Sequence, residues 1–214
     1  MRPQGTSRDW RERTLTRGRS AISRIFKSVY LSESVPPFSW NCPLTLGEIA
    51  APLWLHRETV RPEWVDYNGH MNVAYYVLVF DHATDAVLDY LDLGAAYRAA
   101  SGCSVFVAEA HVTYDQEVNA GDPLRITSRV IGCEGKKLIL FHEMFRADAI
   151  EPAATNEVLC LHVDLAHRRS APLPVAAAER LKRVAFVHNQ LPKPTRVGRA
   201  IALTAGRPGH ENRQ

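Results

Sequence analysis

The spacing of apolar positions divides the middle of the chain into elements. Leu53 to Val60 suits a first strand. From Val73 the period changes: Val73, Tyr76, Val77, Phe80, Ala83, Val87, Tyr90 and Leu91 recur at helical spacing, which predicts a helix over residues 72–91. Asn72 is a fit N-cap. Gly94 lies just past the expected end, where a stop belongs. Asp81, Asp85 and Asp89 form a stripe at i, i+4 spacing; like charges there repel slightly, so the stripe reads as a solvated face. Four strand-like runs follow, over residues 103–114, 124–132, 137–146 and 155–166. In the first of them, alternation sorts Phe106, Ala108, Ala110, Val112 and Tyr114 onto one face, with Val105, Val107, Glu109, His111 and Thr113 on the other. Residues 119–123 form a turn, residues 133–136 a short hairpin connection, and residues 176–187 a final short helix. Short loops favour antiparallel neighbours, and a helix this apolar needs a sheet to cover it. The pattern predicts an α+β fold in which a curved antiparallel sheet of about five strands wraps around one long central helix.

The two ends read differently. Arg2, Arg8, Arg11, Arg13, Arg17, Arg19, Arg24 and Lys27 crowd the first half of residues 1–50, with serines and Pro36-Pro37 after them. Asp9 and Glu12 argue against a mitochondrial targeting peptide, which is poor in acids, and no apolar run follows as in a secretory signal. The expectation is a disordered basic extension, or a start codon placed too far upstream, then a domain over residues 51–190. Breakers such as Pro192, Pro194 and Gly198 mark residues 191–214 as a tail. A 46% hydrophobic composition suffices for a core, and a formal charge of +3 is too mild to argue for nucleic acid or an anionic membrane. Cys42, Cys103, Cys133 and Cys160 are widely spaced and read as free thiols in a reducing, cytoplasmic setting. No apolar run approaches the roughly 18 residues of a membrane span.

Candidate chemistry concentrates in the nine residues from Trp64 to Asn72 and the helix start after them. Asp66 supplies a carboxylate that can activate water. Asn68-Gly69 supplies a turn, and the helix start supplies unpaired backbone N–H groups for a developing oxyanion. An ordinary capped turn accounts for the same residues without chemistry. Asp66-Tyr67-Asn68-Gly69-His70-Met71-Asn72 followed by Tyr76 resembles the signature of the hotdog-fold thioesterases, in their 4-hydroxybenzoyl-CoA thioesterase-like branch. The order and spacing of elements over residues 53–166 fit that resemblance, as does Gly121-Asp122-Pro123-Leu124 at a strand start.

The resemblance implies a hotdog acyl-CoA thioesterase that works as a homodimer or dimer of dimers, with sites at the dimer interface. It places the catalytic carboxylate on Asp66, the motif glycine on Gly69 and the carbonyl-polarising N–H on Val73. Asp66 would act as general base or as nucleophile. His70 could contact substrate or water, or simply hold the turn. Asn68 fits the turn and Asn72 the cap before either fits substrate. Tyr76 matches the motif tyrosine. Glu109 and His111 read first as solvent or interface residues, and Glu109 alternatively as an acyl-pocket group. The region from Asp66 through Leu161-His162-Val163-Asp164 also resembles thioesterases associated with carnitine breakdown, which act on betainyl-CoA. A quaternary ammonium is held by aromatic faces near a carboxylate, and Trp64, Tyr67, Tyr75 and Glu109 are the candidates for that role. Arg125, Arg129, Lys136, Lys137, Arg168 and Arg169 could meet CoA phosphates but read first as solvated charges.

Two rivals remain at this stage. Gly69-His70 is similar to the Gly-His of hotdog dehydratases, but Met71-Asn72 stands where that motif has Phe-Pro. A non-catalytic acyl-CoA-binding hotdog would better suit a chain lacking Asp66. No Gly-x-Ser-x-Gly, His-Glu-x-x-His, Walker A or Gly-x-Gly-x-x-Gly pattern occurs, so no cofactor and no metal are expected.

Overall fold

The structure, a computed structural model, describes residues 49–147 and 149–201. The basic extension of residues 1–50 and Cys42 thus lie almost wholly outside the described residues. Strand β1 (Leu53–Thr59) is followed by a 3-10 turn (Pro62–Trp64), the long helix α1 (Val73–Tyr90) and a short helix α2 (Ala95–Ser101). Then come β2 (Cys103–Tyr114), β3 (Pro123–Glu134), β4 (Lys137–Arg146), β5 (Ala154–Asp164), the two-residue β6 (Arg169–Ser170) and helix α3 (Val175–His188).

All pairings are antiparallel, in the order β1-β3-β4-β5-β2, with β6 beside β5. The sheet therefore has six strands where about five were expected. Alternation along β4 and β5 sends Leu138, Leu140, Met144, Ala154, Val158 and Cys160 to one face, where they are buried. Helix α1 covers that face with Val79, Phe80, Ala83, Val87 and Leu88, also buried. Burial of about 1.5–3 kcal/mol per large apolar side chain is what holds helix to sheet. No helix among the described residues is long and apolar enough to cross a membrane.

Three features depart from the periodicity reading. A bulge interrupts β2: Val107 pairs with Cys160, yet Glu109 pairs with Leu159. The extra residue, Ala108, switches the faces. Val105 and Val107 therefore share the helix-facing side with Ala110, Val112 and Tyr114, while Phe106 joins Glu109, His111 and Thr113 on the other. Second, Gly94 does not simply stop α1. It is the N-cap of α2, and the left-handed residue after α1 is Asp92, at φ 55°. Third, the segment read as a tail is docked through Gly198: Arg129 donates to the Pro192 carbonyl at 2.8 Å, Arg196 pairs with Asp115 at 2.5 Å, and the Gly198 N–H donates to Glu157 at 2.7 Å.

Strand β3 runs past the end of β1, which leaves the Val130 N–H without a strand partner. Helix α3 supplies one: His188 Nδ1 accepts from Val130 at 2.9 Å, and its Nε2 meets the Ala50 carbonyl at 2.9 Å. Burial lowers the His188 pKa, so the ring stays neutral and can accept.

Candidate active site

The motif segment folds into a small closed loop before α1. Val65 and Met71 form an isolated antiparallel bridge, and the Asp66 N–H donates to the His70 carbonyl at 3.1 Å. The Asp66 carbonyl accepts the Gly69 N–H at 3.0 Å, which closes a tight turn over Tyr67-Asn68. Gly69 sits at φ 88°, a backbone region that a β-carbon disfavours. The Met71 N–H reaches the Val118 carbonyl at 2.7 Å and so fixes the loop to the segment that follows β2.

This loop aims the Asp66 carboxylate along the start of α1. One oxygen accepts the Asn68 N–H at 2.8 Å; the other accepts from the Asn72 side-chain amide at 3.3 Å. Asn72 uses its own carbonyl oxygen to cap the helix, accepting the Ala74 N–H at 3.0 Å. One side chain therefore links the carboxylate to the first turn of α1. The Tyr75 N–H is taken by the Asn72 backbone carbonyl at 3.0 Å. Val73 donates to nothing among the described residues, and it is 56% exposed. Its N–H stands at the positive end of the helix dipole, open to an incoming oxygen.

Beside that N–H lies a pocket of about 190 Å³ walled by His70, Met71, Val73, Tyr76, Tyr114 and residues 115–117. Tyr76 is buried, donates its hydroxyl to the Gln116 carbonyl at 3.2 Å and meets Tyr114 edge to face at a 5.2 Å centroid separation. Burial raises the pKa of both phenols, which stay neutral. Two acids edge the pocket. Asp115 is engaged by Arg196, while Glu117 is exposed, with one oxygen 3.8 Å from His70 Nε2.

Of the residues predicted from sequence, the structure brings Asp66, Asn68, Gly69, His70, Asn72, Val73 and Tyr76 together at one end of α1. It does not gather Trp64, Tyr67, Tyr75 and Glu109 into a cage within one chain. Trp64 is core, 4% exposed, stacked on Tyr75 at 5.3 Å with the Arg61 guanidinium 5.0 Å over its ring. Tyr67 stands 97% exposed at the turn tip, and Glu109 lies on the exposed middle of β2. The aromatic and acidic groups that do face the pocket, Tyr114, Asp115 and Glu117, were not singled out for it. Tyr114 had been read only as a strand-face residue, and only the β2 bulge turns it toward the helix side. A third group was also missed. His56, Glu58 and His82 converge from β1 and α1, and nothing but the fold reveals it, since His82 is 24 residues from Glu58.

Comparison with known proteins bears on the family and the fold. Residues 60–181 match the family described as the thioesterase-like superfamily. Among curated proteins, the chain is 38% identical over 151 residues to the betainyl-CoA thioesterase of Pseudomonas aeruginosa, covering 71% of this chain and 95% of that protein. It is 39% identical over 157 residues to an L-carnitine dehydrogenase/betainyl-CoA thioesterase of Agrobacterium fabrum, covering 72% of this chain but only 32% of that longer protein. Among solved structures, a Pseudomonas putida protein provisionally assigned as a thioesterase is 34% identical, with a TM-score of 0.63 and coverage of 73% of this chain and 99% of the other. A Staphylococcus aureus protein solved in complex with CoA is 26% identical, with a TM-score of 0.66 and coverage of 72% and 98%. The curved sheet around one long helix is the hotdog fold of such thioesterases.

Proposed function

Because the chain belongs to the thioesterase-like superfamily and is a thioester hydrolase, we propose that it hydrolyses a small acyl-CoA, betainyl-CoA first among them, to the free acid and CoA. The observation that carries the reading is the linkage of Asp66 through Asn72 to a helix start whose Val73 N–H has no partner among the described residues. A thioester carbonyl oxygen would accept that N–H, next to the pocket. Asp66 would take a proton from water as the hydroxide attacks the carbonyl carbon. The tetrahedral oxyanion would then gather its charge against the Val73 N–H and the helix dipole, and collapse with loss of the CoA thiolate. In the nucleophilic variant Asp66 attacks the carbonyl itself, and water opens the resulting anhydride. Single-turnover hydrolysis in oxygen-18 water tests for the anhydride: label enters the Asp66 carboxylate only when water opens an anhydride at the aspartyl carbonyl, and the acid product then carries an unlabelled Asp66 oxygen.

The choice of a betainyl group rests on the pocket and on the relatives named for that substrate. A trimethylammonium cannot be hydrogen-bonded. It is held by aromatic surface and nearby negative charge, worth about 0.5–2 kcal/mol per ring. Tyr114 and Tyr76 offer the rings, and Glu117 offers a carboxylate that no arginine among the described residues engages. We assign those residues, rather than Trp64 and Tyr75, to the acyl cation. Betainyl-CoA and butyryl-CoA, which lacks the fixed charge, test the assignment: a clear preference for the cation is expected, and equal kcat/KM would contradict it.

A homodimer is part of this reading. Among the described residues strand β2 pairs only with β5, which leaves its other edge open there, and Phe106 (52%) and Val107 (46%) are exposed on it. Apolar residues on both faces of an open edge invite a second strand. Pairing there would set a second subunit beside the pocket, which begins at Tyr114, the last residue of the same strand. Sedimentation of the wild type and of Phe106→Asp tests it, with a dimer and a weakened dimer expected.

A further inference from the structure

We propose that His56, Glu58 and His82 form a binding site for one divalent transition-metal ion of the Zn²⁺ or Co²⁺ kind, separate from the acyl site. His56 and Glu58 are two residues apart on β1 and so point to one face. Their register partners, Ile126 and Leu124, are buried, so this is the face turned toward α1. His82 comes down from the flank of α1 onto the same spot. His56 Nε2 and His82 Nδ1 both aim at the same carboxylate oxygen, Glu58 Oε2, at 3.2 and 3.0 Å. The three candidate ligand atoms all lie within 4.8 Å of one another.

Those separations suit a metal. Ligands about 2.0–2.1 Å from a tetrahedral Zn²⁺ stand roughly 3.3 Å apart along each edge of the tetrahedron. Two of the three edges already have nearly that length. Two imidazoles and one carboxylate are a donor set for Zn²⁺, Co²⁺ or Ni²⁺ and a poor one for Mg²⁺ or Ca²⁺. The other Glu58 oxygen is held by Arg61 at 3.4 Å, so Oε2 is the oxygen the two imidazoles share and the one an ion between them would take. The Glu58 side chain is 12% exposed and that of His82 39%, so the site has a protected carboxylate and an open side for ion entry and a fourth, water ligand.

The position argues for a clip and against a role in thioester cleavage. His82 is nine residues along α1 from Val73, or about 14 Å at 1.5 Å per residue. Bound metal would reinforce the packing of the edge strand β1 on the long helix, where His82 already meets Glu58.

The test uses the full chain without an affinity tag, stripped of metal with a chelator and titrated with Zn²⁺ and Co²⁺ in a calorimeter. One equivalent should bind, Co²⁺ should give the intense visible bands of a four-coordinate ion, and the melting temperature should rise with bound metal. In His82→Ala and Glu58→Gln the affinity should fall by at least the roughly 10–100-fold that even outer-shell changes cost metal sites. Hydrolysis of the preferred thioester by the variants should stay at the wild-type rate and confirms that they are folded. Absence of stoichiometric uptake by the wild type overturns the proposal, and so does uptake that both variants retain at full affinity.

Discussion

Helix α1 carries two sets of polar groups that the chain treats in opposite ways. Near its middle, Thr84, His142 and Ser128 close on one another in the core. Thr84 donates its proton to the Phe80 carbonyl at 2.9 Å, so it must accept from His142 Nε2, 3.2 Å away; His142 Nδ1 then accepts from Ser128 at 2.8 Å. Each group is satisfied, and burial pushes the His142 pKa down to about 3. At the N-terminus, by contrast, the Val73 N–H has no partner among the described residues, and Asp66 is held beside it by Asn68 and Asn72. A closed network specifies packing, since an unpaired buried group costs about 1–3 kcal/mol. An open donor at a solvent-facing helix start costs little and is available to a ligand. The contrast sets the proposed site at the helix start apart from the packing network near its middle.

Substitutions at the two places should therefore separate activity from stability. The largest effect is expected for Asp66→Asn, which should lower kcat/KM for thioester hydrolysis by about 10²–10⁴ while leaving the melting temperature close to wild type. His142→Ala should do the reverse. Loss of the ring leaves a cavity, takes the acceptor from Ser128 and leaves Thr84 with only its bond to the Phe80 carbonyl, a destabilisation of about 3 kcal/mol by chemical denaturation, with turnover per folded molecule preserved.

The same histidine sets a pH dependence. Its folded pKa of about 3 lies below the unfolded value near 6.5. The unfolded state thus binds the extra proton between those values. Stability should be full above about pH 6.5 and fall as the pH drops toward 3, and His142→Phe should flatten that slope in acid unfolding curves.

Tyr114→Leu comes next, and sharpens the assignment of the pocket. It should cost betainyl-CoA about 3–30-fold in kcat/KM, the equivalent of one cation–π contact, and cost butyryl-CoA little. Asn72→Ala is the smallest change and touches both roles: loss of the cap should destabilise the chain by about 1 kcal/mol in thermal unfolding, and hydrolysis should slow as Asp66 loses its anchor.

The fold was largely legible because its longest elements follow clean periods. The helix expected over residues 72–91 is Val73–Tyr90 with Asn72 as its cap, and the third strand-like run of residues 137–146 is Lys137–Arg146. What was missed depends on single residues or on tertiary placement. The extra residue at Ala108 reverses faces in β2 without altering the apolar pattern, so alternation could not show it. Helix α2 is only seven residues long, too short for a helical period to stand out between Gly94 and Gly102. The Asp66–Asn72 segment could be read as a candidate site because carboxylate, turn and cap are contiguous. The pocket could not be, since its walls come from α1, the end of β2 and the segment after it, and Trp64 could be told from a pocket aromatic only by its burial.

The central claim is that Asp66 performs the hydrolysis of a substrate held at the start of α1. The most direct measurement takes one sample of Asp66→Asn protein and follows both thioester binding by calorimetry and CoA release over time. Binding close to wild type with CoA release reduced by at least 10² is the predicted result; release within tenfold of wild type would contradict it.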